Sequence, residues 1–370
     1  MLENLLMIPG PTPINKKVLK ILSKPVKPHY GDKWKKTYLS IIKKLKKIVN
    51  SKNFPLIVPG SGTYVMEAAI SSLLNKKDTV LVCYNGYWAE RLKEICLSYN
   101  LNVKILKTKF NSPINVFKLE NILKKNKKIK MVLFVHVETS TGLDNPIKEI
   151  CNLCSKYGVL SLVDSVGGLG GVQINFDNMK IDILASSSQK CLNSPAGLGI
   201  LFLSDKAKKI QNKNRSKLGW CLNLYNIDKY KKNWKEWHPH GPTTAPVSLY
   251  LALEKSIDLI LKEGLKKRYL RHIKIKKYTR NKLKKKKLEL FIKDDTYASS
   301  ALTTFLLPNK IKLKNFLSQM DKKYNITLSG DLGYVNSRLV RIAHMGNSAN
   351  YIYINQTLKA LDAILFKIKK

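Results

Sequence analysis

The sequence predicts an α/β fold: a mostly parallel central sheet covered by helices, followed by a smaller C-terminal α+β unit. Three observations carry that reading. Between about residues 54 and 205, short apolar runs alternate with stretches of helical periodicity. Those runs are continuous rather than alternating, as strands covered on both faces are. Beyond residue 246 the pattern changes to long helices, short separated strands and a closing helix.

The predicted strands of the first part are Leu56–Val58, Thr79–Cys83, Val103–Leu106, Met131–His136, Val159–Asp164, Ile181–Ala185 and Leu198–Leu203. Helical stretches such as Tyr64–Leu74, Trp88–Ser98 and Ile147–Tyr157 separate them, the order expected of parallel strands. A long helix, Pro246–Leu261, carries Val247, Leu251, Ile257, Ile260 and Leu261, with proline at its first position and Gly264 as its stop. A basic helix follows. Short strands are expected near Leu302–Leu306 and Leu339–Ile342, and a last helix from about Asn350. The chain therefore divides into an N-terminal segment, 1–15, a large domain, 16–255, and a small domain, 256–370.

Composition limits the class. A chain of 370 residues, 44% hydrophobic, can bury a sizeable core in roughly two domains. No run approaches the ~18 apolar residues of a membrane span, so no membrane partner is expected. The start, MLENLLMIPGPTPIN, lacks a basic region followed by an apolar stretch, so no signal peptide is expected. Six cysteines without such a leader point to a reducing cytoplasm, not a disulfide scaffold.

The net charge of +42 raises the question of a polyanion partner. Lysine enrichment is spread along the whole chain, however, in segments such as 43–47 and 124–128. Even Lys266–Lys287, with Arg268, Arg271 and Arg280, interleaves Leu265, Tyr269, Ile273, Ile275 and Leu283, as a basic surface helix would. No specific nucleic-acid partner is expected.

Three loops carry the chemistry. Val58-Pro59-Gly60-Ser61-Gly62-Thr63 joins a strand to a helix, where free N–H groups and hydroxyls suit a phosphate. It is neither a Walker loop nor a dinucleotide fingerprint, and an ordinary capped turn has the same appearance. Asp164 ends an apolar strand and is followed by small residues, at the strand end where open α/β sheets bind ligands. Lys190 leaves another apolar strand through Ser186-Ser187-Ser188-Gln189. A lysine and a carboxylate beside a phosphate loop meet the needs of pyridoxal phosphate. The lysine forms the Schiff base, and the carboxylate keeps the pyridine nitrogen protonated.

Eight blocks of the chain, in order, extend this pattern: Pro9-Gly10-Pro11-Thr12, Gly60-Ser61-Gly62-Thr63, Asn85-Gly86-Tyr87-Trp88, His136 to Gly142, Val163-Asp164-Ser165-Val166, Ser188-Gln189-Lys190, Thr244-Ala245-Pro246-Val247 and Val340 to Gly346. In these the chain resembles the fold-type I, class V pyridoxal-phosphate aminotransferases, and most closely the alanine–glyoxylate and serine–pyruvate branch. The resemblance implies that Lys190 carries the cofactor and, once released, moves a proton at the substrate. Asp164 pairs with the pyridinium nitrogen, Val166 and Trp88 cover the two ring faces, and Thr139 bonds near the ring's oxygen edge. Ser61, Gly62, Thr63 and Gln189 hold the phosphate. Arg341 binds the substrate α-carboxylate through a bidentate fork, and the Gly10 N–H covers the same group.

The resemblance also implies a homodimer in which Thr244 reaches the neighbouring subunit's phosphate. Here the chain departs from the family: Gly241 stands where a tyrosine is frequent, with His240 or Thr243 as candidate substitutes. The implied reaction is a ping-pong transfer between alanine or serine and glyoxylate or pyruvate. The 2-aminoethylphosphonate–pyruvate and ureidoglycine–glyoxylate aminotransferases are the alternatives within the class, and a nucleic-acid-binding protein on a degenerate scaffold is the one outside it. Cys151 and Cys154 lack a second ligand pair and read as core thiols, so no metal is expected. Cys191 reads as packing. No cysteine follows Cys221, which argues against the desulfurase branch. His344 either lines the pocket or packs.

Overall fold

The computed structural model describes residues 4–213, 219–333 and 336–369. Its centre is a seven-stranded sheet of β1 (Leu56–Pro59), β2 (Thr79–Tyr84), β3 (Asn102–Lys107), β4 (Ile129–Val135), β5 (Leu160–Asp164), β6 (Ile183–Ser187) and β7 (Leu198–Leu203). The spatial order is β1-β7-β6-β5-β4-β2-β3. All pairs are parallel except those of β7, which runs antiparallel to both β1 and β6.

The apolar strands divide their side chains between two cores. In β4, Ile129, Val132 and Phe134 join the core under the helices Gly31–Val49, Ile147–Lys156 and Val247–Glu263. Met131, Leu133 and Val135 join the core under Gly62–Leu73 and Tyr87–Ser98. Both faces are buried, so both phases of the strand are apolar. Helix Gly31–Val49 was read from sequence only as a lysine-rich stretch. Its face of Trp34, Tyr38, Ile41, Leu45 and Ile48 is buried, while Lys43 and Lys47 point outward, and Asn50 ends it in the left-handed conformation.

A second, antiparallel sheet orders β8 (Glu289–Leu290), β9 (Leu302–Leu306), β11 (Leu339–Ala343) and β10 (Ser329–Gly330). Phe305, Phe316, Val340, Ile342 and Leu361 form its core with Ile275 and Leu283 of helix Leu265–Lys285. The chain begins on this sheet's side, where Leu5–Leu6 pairs in parallel with Ile326–Thr327 and Met7 is buried. It then crosses to the large sheet, where Thr12 Oγ1 donates to the Lys190 carbonyl at 2.9 Å.

Two local expectations shift. β6 begins at Ile183 rather than Ile181, because pairing with Leu162 sets its register. Pro246 caps the long helix with ψ 79° instead of entering it. A third is overturned. Helix Leu265–Lys285 is no simple basic surface helix, since it buries Arg268 and Arg280 while Ile273 is exposed. Arg268 pairs with Glu263 at 2.8 Å and donates to the carbonyls of Gly170 and Cys191, and Arg280 pairs with Asp295. Buried guanidiniums need such partners, and Arg268 thereby ties this helix to the Lys190 loop through the Cys191 carbonyl.

Candidate active site

Three strand ends build the site. Asp164 is the last residue of β5, Lys190 lies three residues beyond β6, and helix Gly62–Leu73 starts just after β1. All lie at the carboxyl edge of the parallel strands, where the helices turn away and leave a crevice. The crevice holds a cavity of about 260 Å³. It gathers nine of the residues singled out in the sequence: Ser61, Gly62, Thr63, Trp88, Thr139, Asp164, Val166, Gln189 and Lys190. Gly62 is held small by contact, because a Cβ there would collide with Val166 Cγ2. Ser61 caps the helix, its Oγ accepting from the Tyr64 N–H at 3.4 Å.

Burial dominates the electrostatics. It pushes the Asp164 carboxyl up to about 6, against the Val166 N–H, which donates to Oδ1 at 2.9 Å, and against Lys190, His136 and Arg91. Burial lowers the Lys190 amine to about 8, aided by Arg341 and opposed by Asp164. Its Nζ donates to the Pro9 carbonyl. Behind Asp164, His136 Nδ1 lies 3.1 Å from Ser165 Oγ and Nε2 lies 3.2 Å from Asp144.

The remaining candidate residues, Arg341, Gly10 and Thr244, are not part of the cavity's lining. Arg341, in β11, is 6% exposed and sends Nη1 to the Thr139 carbonyl at 3.1 Å. Burial lowers it to about 10, against Asp331 and Glu138. Gly10 packs directly on Lys190. Thr244 is exposed and lines no wall of this cavity. His240 is not free to replace the missing tyrosine, because Trp34 Nε1 donates to its Nδ1 at 2.9 Å and its Nε2 meets the Thr243 carbonyl at 3.0 Å. Gly241 has φ 130°, a conformation that would strain a tyrosine. His344 packs, bonded to Thr303 Oγ1 and the Ser300 carbonyl. Cys191, Cys151 and Cys154 are fully buried thiols raised by burial, to about 11 for Cys191 and about 12 for Cys151.

The family profile described as Aminotransferase class-V matches residues 22–342. The chain belongs to the class-V aminotransferases. It is 36% identical to an uncharacterized aminotransferase of Methanocaldococcus jannaschii over 93% of this chain and 88% of that one. It is 31% identical to the alanine–glyoxylate aminotransferase of Mus musculus, over 98% of this chain and 87% of that one. The crystal structure of a ureidoglycine–glyoxylate aminotransferase from Bacillus subtilis superposes with a TM-score of 0.93 at 26% identity, covering 100% of this chain and 95% of that one.

Membership in this aminotransferase family implies pyridoxal phosphate, and the cavity suits it on its own terms. A lysine faces a carboxylate across it, Trp88 and Val166 supply walls, and a capped helix N-terminus with hydroxyls lies at one end. Trp88 Nε1, Gln189 Oε1 and Arg341 Nε are buried polar atoms without a hydrogen-bond partner among the described residues, as expected where a polar ligand supplies the bonds. Among the described residues, no group of three or more His, Cys, Asp or Glu could hold a metal ion. No described helix is long and apolar enough to cross a membrane.

Sequence reasoning missed several residues that this aminotransferase brings to the site. Arg91 lines the cavity with its guanidinium 5.2 Å from the Trp88 ring centre. The signal was present, since it follows Trp88 by three positions on one helix face. Met66, one turn into helix Gly62–Leu73, and the β4 end Val135 also line it. Glu138 and His136 lay inside a recognised block but had no role.

Proposed function

We propose that this aminotransferase moves an amino group between alanine or serine and glyoxylate or pyruvate, in two half-reactions at one cavity. The observation that supports this most is that the buried Lys190 amine is influenced both by a buried carboxylate, Asp164, and by a buried guanidinium, Arg341, whose Nε has no hydrogen-bond partner among the described residues. That is an amine flanked by one partner for a cofactor and one for a carboxylate-bearing substrate.

Lys190 would hold pyridoxal phosphate covalently. Asp164 would pair with its ring nitrogen, Trp88 and Val166 would cover its faces, and Thr139 would meet its oxygen edge. Ser61, Gly62, Thr63 and Gln189 would hold the phosphate. Bound there, the cofactor supplies an electron sink for the bond broken at the substrate's Cα. Arg341 fixes the α-carboxylate with two parallel hydrogen bonds, but the Gly10 N–H expected to cover that group donates instead to the Ile8 carbonyl at 2.7 Å. Lys190, freed when the substrate's amine takes its place and lowered toward 8 by burial, would take the proton from Cα in the donor half-reaction and deliver one to Cα in the acceptor half-reaction. Thr303 and Ser300 hold His344 away from this chemistry.

The working form is a homodimer. Thr244 lies on the surface in a segment that also exposes Trp220, Trp234 and Trp237, and a second copy seated there would bring Thr244 to its phosphate. Six free cysteines suit a reducing cytoplasm.

Amino donors paired with glyoxylate and pyruvate test the reading. Alanine or serine should show the highest kcat/KM. Turnover confined to 2-aminoethylphosphonate or ureidoglycine would transfer the chain to another branch of the class. Lys190→Ala should lose both turnover and borohydride-fixed cofactor by mass spectrometry, and cofactor still fixed in that variant would refute the lysine's role.

A further inference from the structure

Glu138 has no place in the chemistry above, yet it is 0% exposed at the edge of the site. It sits in a tight hairpin, with Glu138 paired to Leu143 and its carbonyl accepting the Gly142 N–H at 2.8 Å. The carboxylate points at the start of helix Tyr87–Ser98. Oε1 accepts from the Ser140 N–H at 3.0 Å and the Ser140 hydroxyl at 2.5 Å. Ser140 Oγ in turn accepts from the Tyr87 N–H at 3.1 Å. That helix has no cap of its own, because its N-cap residue is Gly86. The glycine is required by the carboxylate, since a Cβ at residue 86 would lie 2.7 Å from Glu138 Oε2.

Through Ser140 the carboxyl reaches one of this helix's free donors, the Tyr87 N–H, and a negative charge at that end suits the helix dipole. This helix carries Trp88 and Arg91. The same hairpin carries Thr139, whose carbonyl holds Arg341. One side chain thus braces the turn that supports both the aromatic wall and the guanidinium. Oε2 has no hydrogen-bond partner of normal geometry among the described residues. Burial pushes the carboxyl up to about 7, against Ser140 and the Trp88 N–H, so this arrangement is kept despite a desolvation cost.

We propose that Glu138 is a positioning residue that holds Trp88 against the cofactor ring and, through the Thr139 hairpin, keeps Arg341 aligned for the substrate carboxylate. This rests on the cofactor and anchor assignments made above.

The test uses the full-length protein, freed of cofactor and titrated with pyridoxal phosphate while tryptophan fluorescence is followed. Glu138→Ala should weaken cofactor binding about tenfold and raise KM for amino donor and oxo acid together. Glu138→Gln, which still accepts from Ser140, should recover most of both losses. A residue that only stabilises the fold would lower the melting temperature of the Ala variant and leave affinity and KM within twofold of wild type, and that result overturns the proposal. Should Glu138→Ala fail to fold, Gly86→Ala displaces the carboxylate instead and must show the same paired losses; values within twofold overturn the proposal equally. If the wild-type protein does not bind pyridoxal phosphate at all, the cofactor reading falls and this proposal with it. Binding by wild type with no effect of either variant removes the positioning role alone.

Discussion

Gly10 and Lys190 are in such close contact that a Cβ at residue 10 would lie 2.8 Å from Lys190 Nζ and 2.9 Å from Cε. The contact joins the first residues of the chain to a loop from the middle of the large sheet. The Pro9 carbonyl accepts from Nζ, so the N-terminal segment sets the resting position of the amine.

Gly10→Ala should therefore displace Lys190 or the segment above it. Gly10 also has φ 96°, which costs alanine about 1–3 kcal/mol of backbone strain. We expect kcat to fall by about tenfold or more, the effect of a misplaced reacting group, with cofactor content retained. Steady-state rates beside bound-cofactor absorbance check this, and an unchanged kcat would show that the segment does not guide Lys190.

Asp164→Asn keeps the size of the side chain and removes its charge. Protonation of the ring nitrogen stabilises negative charge only as it forms, so a rate loss of about 100-fold or more is expected. Single-turnover kinetics separate this from cofactor loss. A near-normal rate would refute the pairing.

Arg341→Lys replaces a planar fork by a point charge. Both half-reactions use the same anchor, so kcat/KM should fall on the order of 10- to 100-fold for donor and acceptor alike. Cofactor content should stay normal. If both half-reactions remain within about twofold of wild type, short of the loss expected for a charged hydrogen bond, the anchor lies elsewhere.

Glu138 makes a prediction about stability. Burial raises its carboxyl from 4.5 to about 7, with Asp164 adding to the rise and Ser140 opposing it, and Arg341 is the cation facing it. Between those pH values the folded cofactor-free protein keeps a proton that the unfolded chain has released. Its contribution is complete below pH 4.5 and is lost as pH rises to 7. Glu138→Gln cannot titrate, so its stability relative to wild type should climb with pH across that window, by at most about 1.4 kcal/mol per unit. Urea unfolding at pH 5, 6 and 7 measures this, and a parallel pH dependence in both proteins would show that Glu138 is ionised throughout.

Legibility in the sequence followed locality. β4, β5 and β7 were readable because both of their faces are buried, which leaves an unbroken apolar run. Asp164 and Lys190 stood out because each ends such a run in a short polar loop. Helix Gly31–Val49 went unread since nine residues of its length are lysine, tryptophan or tyrosine in no obvious hydrophobic stripe until the burial of Trp34 and Tyr38 is seen. Arg268 looked like one basic residue among 67 Lys and Arg and proved to be buried against the lysine loop.

By itself the sequence determined the order of the sheet-forming segments, the loops at their ends and the residue types available there, because hydrophobic periodicity and turn chemistry act over a few neighbours. Only the tertiary structure decided which charges bear on one another. Arg341 meets the Thr139 carbonyl across 202 positions of chain, and Gly86 makes room for Glu138 from a different strand end. Burial and distance set the strength of a charge or a hydrogen bond, and neither is a property of residue type, so a lysine near 8 and a carboxyl near 7 emerge only when the chain has closed around them.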